Sequence, residues 1–284
     1  MKLNLKNLFA LSLLVVGSKA ARDQPCPDNP DGTPGVCGDP HFKTWRGKHF
    51  DFHGECDLVL LHSSKFGAGL GLDVHIRTKM RRDMSYISAA VLRMGTDTLE
   101  VESQCVSYLS GVAGAELTDE FSGFAFSHTH PTDKQHVFEV HLGGRERIML
   151  KTYNDFVSVV IEQGLSKHFG KSVGLMGDFG TGHMIARDGE TVLDDANAFG
   201  QEWQVLDTEP TLFQTVRFPQ HPQKCTMPTP KTTGMLRRRL LETSSVDELA
   251  AEKACEHWGE QGKDDCVFDV LTTGDLEMAV IGAY

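Results

Sequence analysis

Strict alternation of apolar and polar side chains in the middle of the chain is the strongest constraint on its fold. Val74, Ile76, Thr78 and Met80 alternate with polar or basic residues, and residues 137–142 repeat the pattern. Successive side chains of a β-strand point to opposite faces, so a period of two predicts strands with one buried face. Gly-containing turns separate these segments. The pattern predicts a mainly β protein, an antiparallel β-sandwich whose sheets each turn one face to water.

Residues 1–20 are typical of a secretory signal peptide. Lysines precede an uncharged apolar run over residues 8–16, and small residues follow it. The run is about half of the ~20 residues that span a bilayer, which favours a cleaved leader over a membrane anchor. The net charge of −11 argues against nucleic acid or an anionic membrane as a partner, since both select basic surfaces. We therefore expect a secreted, extracellular protein.

Secretion changes the interpretation of the seven cysteines. In an oxidising compartment they are disulfide candidates before they are nucleophiles or zinc ligands. No Cys-x-x-Cys pair supports a redox or zinc site. An odd number leaves one thiol free or paired between chains.

A change in composition follows Trp203. Five of the eleven prolines lie between residues 210 and 230, with several threonines among them. Because proline removes backbone donors and disfavours helix, residues 208–244 are predicted to form an extended Pro/Thr-rich linker. The basic run Arg237–Arg239 near its end is either a protease-processing site or a solvated patch.

Helix signals are confined to residues 245–284. The sequence SVDE from Ser245 matches a capping box, and apolar residues at helical spacing follow it. A second short helix is expected to end at Gly274. A bridge between Cys255 and Cys266 would close this helical hairpin. Closing so short a loop contributes ~2–3 kcal/mol in the chain-entropy account.

Common catalytic motifs are missing from the sequence. It contains no Gly-x-Ser-x-Gly elbow, no His-Glu-x-x-His and no phosphate-cradling loop, so we do not expect an enzyme.

A surface zinc or copper site is one interpretation of four histidines that are close in sequence, His128, His130, His136 and His141. Solvated histidines at strand edges are the commoner alternative.

Two separated segments resemble parts of a known extracellular module. The first motif segment, residues 37–56, reads CGDPHFKTWRGKHFDFHGEC and resembles the opening of a von Willebrand factor type D domain, found in mucins and related secreted proteins. The second motif segment, residues 174–203, begins GLMGDF and ends FGQEW, and it resembles the family's closing pattern. The resemblance covers residues 37–207, extending to Cys225 if the disulfide described below forms, and implies a type D β-sandwich, preceded by an N-terminal lead at 21–36.

The resemblance also implies a disulfide framework. The family bridge from the Phe-x-Gly-x-Cys cysteine to a cysteine beyond the Trp maps onto Cys56 and Cys225. A second family bridge uses a loop cysteine whose position is occupied here by Met176. Cys37 then has Cys26 as its nearest candidate partner, since spacing alone does not fix connectivity.

Calcium is the cofactor that the resemblance implies. In the family, the Asp of the GDPH motif and Asn or Asp residues of the later loop hold this ion, which prefers oxygen ligands. Asp39 and Asp178 match those positions. The usual acidic pair downstream is replaced by Gly180-Thr-Gly-His183, so matching residues alone do not complete a calcium shell. The alternative is that both aspartates are turn residues accepting backbone hydrogen bonds.

The Asp39–Pro40 peptide bond is the candidate site of covalent chemistry. The Asp carboxyl can attack its own carbonyl carbon, and the Pro nitrogen is a comparatively basic leaving group. In some GDPH-containing relatives this bond breaks autocatalytically and leaves an anhydride that crosslinks to another molecule. His41 is placed to shuttle the proton. The alternative is an intact bond in an extended turn. If the bond breaks and Cys26 is bonded to Cys37, we expect the N-terminal fragment to be released.

These features predict a secreted structural or adhesive protein of the extracellular matrix or cell surface. It would act by assembly with extracellular proteins or glycans, or with its own copies. Self-cleavage at Asp39–Pro40 and an interchain thiol at Cys105 are the candidate crosslinks. The alternatives are a non-covalent glycan-binding or protein-binding module, and a secreted enzyme with an unrecognised active site.

Overall fold

Antiparallel strands make up most of the structure, a computed structural model that describes residues 35–37, 40–81, 84–162, 168–228 and 244–281. Strands account for 42% and helices for 16% of it. The prediction of a mainly β protein with helices towards its C-terminus is therefore confirmed, and the type D fold stays a prediction.

Several sequence predictions fall on other parts of the chain. The following lie outside the described residues: the signal peptide at 1–20, most of the lead at 21–36, Cys26, Asp39 and the basic run Arg237–Arg239. Among the described residues, no helix is both long enough and apolar enough to cross a membrane.

Fourteen short strands are present in the described residues. In chain order they are β1 (Gly35–Cys37), β2 (His41–Lys43), β3 (His49–Asp51), β4 (Asp57–Ser63), β5 (Leu72–Arg81), β6 (Met84–Met94), β7 (Asp97–Glu102), β8 (Val106–Leu109), β9 (Val112–Ala113), β10 (Glu120–Phe121), β11 (Phe124–Thr132), β12 (Gln135–Gly143), β13 (Glu146–Tyr153) and β14 (Phe156–Glu162).

The strands form two antiparallel sheets. One has the spatial order β10-β11-β12-β13-β14-β1-β2-β3, and the other has the order β4-β5-β6-β7-β8-β9. Neighbours in sequence pair along most of each sheet, as expected for hairpin-connected strands. The exception is β1, which lies between β14 and β2. The first described strand therefore joins the meander of β10 to β14 to the hairpin of β2 and β3.

Apolar residues from both sheets form one main core. The six phenylalanines in it that are essentially inaccessible to solvent are Phe42, Phe52, Phe66, Phe138, Phe169 and Phe199. Aromatic side chains bury large apolar areas and dominate the energetics of such cores. The alternation predicted for β12 is observed, because Phe138, Val140 and Leu142 are buried while His141 is exposed.

The outer face of β5 differs from the sequence prediction. His75 and Arg77 were expected to face water, but both are buried. Residues 208–216 cover them: the Arg77 guanidinium lies 4.3 Å from the ring centroid of Phe213, and its Nη1 donates to the carbonyl of Thr215 at 2.7 Å. Part of the segment that composition assigned to a linker therefore packs against the sheet.

A second small apolar cluster explains this packing. Leu212 and Phe213 are buried against Ala89 and Val91 of β6. The backbone N–H of Gln214 also donates to Glu100 on β7 at 2.7 Å. Residues 212–214 therefore pack on the β domain, although composition predicts that they belong to a linker.

Four α-helices lie within the described residues: α1 (Ala196–Glu202), α2 (Glu248–Ala254), α3 (Gly259–Thr273) and α4 (Met278–Ile281). No sequence pattern predicts α1, which Asp195 caps by accepting from Ala198 N at 2.7 Å. The capping-box pattern places the α2 cap two residues early. Asp247 is the cap, and the Ser245 hydroxyl donates to Gly274 O at 3.1 Å.

Helices α2 to α4 form a separate small cluster, the helical unit. Its buried members are Ala251, Cys255, Cys266, Val267, Val270, Leu271 and Ala279. The expected Cys255–Cys266 disulfide is present, with Cα atoms 5.9 Å apart. The unit contacts the sandwich through Lys134 Nζ, which lies 2.7 Å from Glu277, and through Tyr153, whose hydroxyl donates to Asp275 at 3.0 Å.

Candidate functional site

The two motif segments meet beside β2 and β3. Trp45, in the turn after β2, donates its backbone N–H to the carbonyl of Met176 at 3.0 Å. The ring of Phe50 on β3 packs edge-on against Phe199 of α1, with centroids 5.3 Å apart. Segments that are distant in sequence therefore form one contiguous region of the structure.

Two glycines of the second motif segment are required by this contact. Gly174 has a φ of +124°, and a Cβ there would lie 2.5 Å from the carbonyl oxygen of Leu60. At Gly200 a Cβ would lie 2.2 Å from the ring of Phe52. Contacts this short are excluded by sterics, so the motif glycines permit the close approach of α1 and the 174–179 loop to the sandwich.

A disulfide joins the first motif segment to the chain beyond Trp203. Cys56 and Cys225 are bonded, with Cα atoms 5.1 Å apart and both side chains buried, which is the pairing that the type D resemblance implied. Gln201 fixes the backbone of Cys225, because its side chain accepts a hydrogen bond from Cys225 N at 2.9 Å and donates one to Cys225 O at 3.3 Å. Met176 is buried in the core.

The other three cysteines stay unassigned. Cys26 and the side chains of Cys37 and Cys105 lie outside the described part of the chain. The Cys26–Cys37 pairing and the interchain role of Cys105 therefore remain predictions.

The candidate cleavage site lies between two paired strands. Cys37, at the end of β1, is opposite His41, at the start of β2, so residues 38–40 connect them. Asp39 is not among the described residues, but Pro40 is buried and its carbonyl accepts a hydrogen bond from Phe52 N at 3.4 Å. The chain is therefore held in the sheet on both sides of the Asp39–Pro40 bond.

His41 is oriented by a carboxylate across the hairpin. Its Nδ1 lies 2.8 Å from Oδ1 of Asp51, the residue directly opposite on β3. Partial burial raises the pKa of Asp51, but the hydrogen bond from His41 and the charges of His53 and His49 outweigh it and hold that pKa below 3.8. An ionised Asp51 favours the proton on Nδ1 and leaves Nε2 as the other exchange position.

In the loop carrying Asp178, the aspartate and a neighbouring carbonyl are engaged in hydrogen bonds. Asp178 Oδ1 accepts from both the backbone N–H and the hydroxyl of Thr181, at 2.7 and 2.8 Å. The nearby carbonyl of Gly180 accepts from the Arg46 guanidinium at 3.0 Å. The Arg46 guanidinium is thus hydrogen-bonded to the loop, and the Asp178 carboxylate accepts hydrogen bonds within its own turn. Both contacts agree with the interpretation of Asp178 as a turn residue. The calcium prediction also needs Asp39, which lies outside the described residues, so it stays a prediction.

Three of the four clustered histidines converge. His128 Nε2 lies 3.1 Å from His136 Nδ1, and the ring of His130 lies 4.1 Å from that of His136. Burial and the neighbouring imidazoles lower the pKa of His128 to about 4 and also lower that of His136. His141 is separate, with Nδ1 3.3 Å from Glu139.

A cleft that the sequence analysis missed lies at the other sheet. It encloses about 430 Å³ and is lined by residues from β4, β5, β6 and the segment after Trp203. His62 Nδ1 is 2.6 Å from Asp73, which also accepts from Arg93 Nε at 2.9 Å. The hydrogen bond to Asp73 raises the pKa of His62, against partial burial. Register alone brings these residues together, so no local motif could have found them.

The geometry of this cleft does not complete a nucleophilic site. A His–Asp pair activates a nucleophile when a hydroxyl or thiol lies within hydrogen-bond reach of the second ring nitrogen. Within the described ranges, no Ser, Thr or Cys side chain is hydrogen-bonded to His62. His62 and Asp73 therefore line the cleft as polar groups that a bound ligand would contact.

Similarity to known proteins adds no functional label. A scan against models of known protein families finds no match, and a search of curated proteins finds none either. The type D resemblance therefore rests on the two motif segments, and function has to be argued from the residues of this chain.

Proposed function

We propose that this chain is a secreted structural or adhesive protein that acts by extracellular assembly, with the Asp39–Pro40 bond as a self-cleaving crosslinker. The observation that carries the proposal is the fixing of the chain around that bond. Pro40 is buried, and His41 beside it is held by Asp51. An intramolecular attack needs its groups in a fixed geometry, because pre-orientation removes most of the entropic barrier.

The proposed step balances as an acyl transfer within Asp39. A carboxylate oxygen of Asp39 attacks the carbonyl carbon of the same residue, and the bond from that carbon to the Pro40 nitrogen breaks. The nitrogen takes a proton and becomes a secondary amine at a new N-terminus. The cyclic anhydride left on Asp39 then reacts with an amine of another molecule, giving an amide and a free carboxylate.

His41 is the residue that would deliver the proton. Amide nitrogen is a poor leaving group unless it is protonated as the bond breaks, which is the task of a general acid. Asp51 stabilises the charged form of the His41 imidazole and fixes its ring. Asp51 is therefore proposed as a positioning residue.

The pairing of β1 changes the expected fate of the fragment. The sequence analysis expected release after cleavage. In the structure, Gly35 and Val36 pair with β14, and residues 35–37 pair with β2. A chain cut at Asp39–Pro40 would keep these hydrogen bonds, so we now expect its N-terminal fragment to stay bound until denaturation.

The test is intact mass spectrometry and N-terminal sequencing of secreted protein, under native and denaturing conditions and from mildly acidic to neutral pH. We expect a new N-terminus at Pro40 that Asp39→Ala abolishes and Asp51→Asn slows. Asp188→Asn is the matched control, because that exposed carboxylate is hydrogen-bonded to its own turn. An uncut chain in all conditions, or equal cleavage in Asp39→Ala, would exclude the crosslinker.

An amine probe tests the second half of the proposal. Cleavage in the presence of a small primary amine should give an N-terminal fragment with the amine attached to Asp39. Its mass should exceed that of the hydrolysed fragment by the mass of the amine minus one water. Cleavage without any adduct would mean that water consumes the anhydride, and assembly would then have to be non-covalent.

Non-covalent recognition is a second candidate function, favoured by the cleft at His62. Its volume is in the range of small-ligand sites, and it carries both a carboxylate and cationic groups. Glycan and peptide libraries would be screened against the wild type and His62→Ala. A ligand whose binding is lost in His62→Ala but retained in Asp39→Ala would favour this function over crosslinking.

A further inference from the structure

A cluster of three histidines, remote from the cleavage site, has the donor set of a transition-metal centre. His128 and His130 are two residues apart on β11, so their side chains leave the same face of the sheet. His136 is on the neighbouring strand β12. The register between β11 and β12 shifts between Thr129 and Thr132, and such a bulge redirects side chains locally.

The distances between donor atoms fit a single ion. Each imidazole offers one ring nitrogen such that all three lie within 4.8 Å of one another. The shortest separation, 3.1 Å, joins His128 Nε2 and His136 Nδ1. A tetrahedral zinc ion with Zn–N bonds of 2.0–2.1 Å places its ligand nitrogens about 3.3 Å apart. Small rotations of the His130 ring would complete the set.

Packing alone explains only one of the three side chains. The ring of His128 stacks on Phe138 at 4.2 Å, with planes 10° apart, which is an ordinary cross-strand contact. His130 is exposed, yet its ring lies against both His128 and His136 instead of extending into solvent. Among the described residues, no carboxylate is paired with any of the three.

We propose that His128, His130 and His136 bind one divalent transition-metal ion, with zinc as the test ion. Three imidazoles and no carboxylate suit zinc or copper and do not suit calcium or magnesium. The fourth position faces solvent because His130 is exposed, so it would hold water or a donor from a bound molecule. The ion would also tie β11 to β12 beside their connecting turn. This site is independent of the proposed crosslinking function.

The first experiment is a zinc titration of the full secreted chain after removal of metal by a chelator. Isothermal calorimetry should give one zinc per chain. The same preparation with cobalt(II) should show the intense visible absorption of a four-coordinate ion. Millimolar calcium should not displace either metal. Zinc should also raise the unfolding temperature, because a ligand that binds only the folded state stabilises it.

Two variants separate this site from other histidines. His130→Ala removes an exposed ligand, so the metal-free variant should unfold at the wild-type temperature while zinc affinity falls by at least about 10-fold, the lower end of the loss seen for a supporting group alone. His136→Asn is a second ligand variant. His141→Ala is the matched control, because it lies on the opposite face of β12 and should bind zinc like the wild type.

The result that would overturn the site is equally specific. Zinc affinity that is unchanged in both His130→Ala and His136→Asn would place any bound metal elsewhere. A six-coordinate cobalt spectrum would indicate an ion held by water and scattered surface groups, which also contradicts the proposal. Loss of zinc binding in His141→Ala would show that a different cluster is responsible.

Discussion

In the described part of the chain, the β-sandwich and the helical unit each contain one disulfide, but the two bonds lie in very different cores. Cys56–Cys225 spans 169 residues and lies in a core built from both sheets. Cys255–Cys266 spans 11 residues and lies in a cluster of seven buried side chains. A small cluster buries too little apolar surface to offset chain entropy, so such units usually need a crosslink. The sandwich should survive loss of its bond, and the helical unit should not.

The largest effect is expected from removing the long-range disulfide. In the chain-entropy account, a loop this long contributes about 5 kcal/mol to stability. Cys56→Ala with Cys225→Ala should lower the unfolding free energy of the sandwich by roughly that amount, measured by denaturant titration. The strands should still show protected amides in hydrogen exchange without denaturant. A loss under about 1 kcal/mol would mean that Gln201 and the surrounding core fix the segment by themselves.

Removing the short disulfide should have a smaller but more localised effect. The loop contributes about 3 kcal/mol or slightly less in the same account. In Cys255→Ala with Cys266→Ala, the amides of α2 and α3 should lose their protection from hydrogen exchange, while those of β5 and β6 keep theirs. If α2 and α3 remain protected, contacts such as Tyr153–Asp275 must supply more stability than their partly exposed position suggests.

A matched pair of glycine variants tests the packing of α1. Gly200→Ala should destabilise the sandwich by about 2–3 kcal/mol, because the new methyl group overlaps the ring of Phe52. Gly170→Ala is the control, since a Cβ there meets no atom within 4 Å, and it should stay within about 0.5 kcal/mol of the wild type. Equal thermal stabilities of the two variants would show that α1 can move away from β3.

The pH dependence of stability gives a further comparison, because the sandwich should show a change that the helical unit does not. Burial raises the pKa of Glu100 to about 7, although Gln214 N donates to it. The folded chain therefore binds this proton more tightly than the unfolded chain, whose pKa is near 4.5. The Glu100 contribution to stability is therefore lost as the pH rises from 4.5 to 7. Glu100→Gln should remove that loss, which denaturant titration across this pH range would measure.

His75 provides the opposite sign as a control. Burial lowers its pKa to about 4, so the unfolded chain takes up the proton first as the pH falls below 6.5. Stability is then lost between pH 6.5 and 4. Between pH 4.5 and 6.5 the two contributions oppose each other, so stability should fall more steeply with rising pH in His75→Gln and should rise with pH in Glu100→Gln. The helical unit, followed by hydrogen exchange, should change with neither variant.

Local patterns in the sequence predicted the elements whose causes are local. The period of two identified β5 and β12, and the spacing of cysteines within the last forty residues identified the Cys255–Cys266 bond. Residues 208–228 could not be predicted in this way, because proline and threonine content says nothing about Leu212 and Phe213 finding a place on β6. Tertiary packing overrode composition there.

The candidate sites also differ in whether their causes are local in sequence or depend on tertiary structure. The GDPH motif was visible, since its residues are adjacent in the chain. The pair of His62 and Asp73 depends on the pairing of β4 with β5, and no spacing rule encodes it. The histidine cluster lies between these cases: His128 and His130 share a face by periodicity, but the contact with His136 depends on the irregular register of β11 and β12.

The Cys56–Cys225 bond has a further consequence for a chain exposed to proteases. It closes a covalent ring that contains β4 to β14 and α1. A single cut in any surface turn of that ring, such as the one at Gly143 and Gly144, leaves both pieces joined through the sulfur atoms. The Asp39–Pro40 bond lies outside the ring. The same disulfide therefore keeps the chain covalently joined after a single cut across most of the sandwich, whereas the proposed break at Asp39–Pro40 would leave two pieces held together only by the non-covalent pairing of β1.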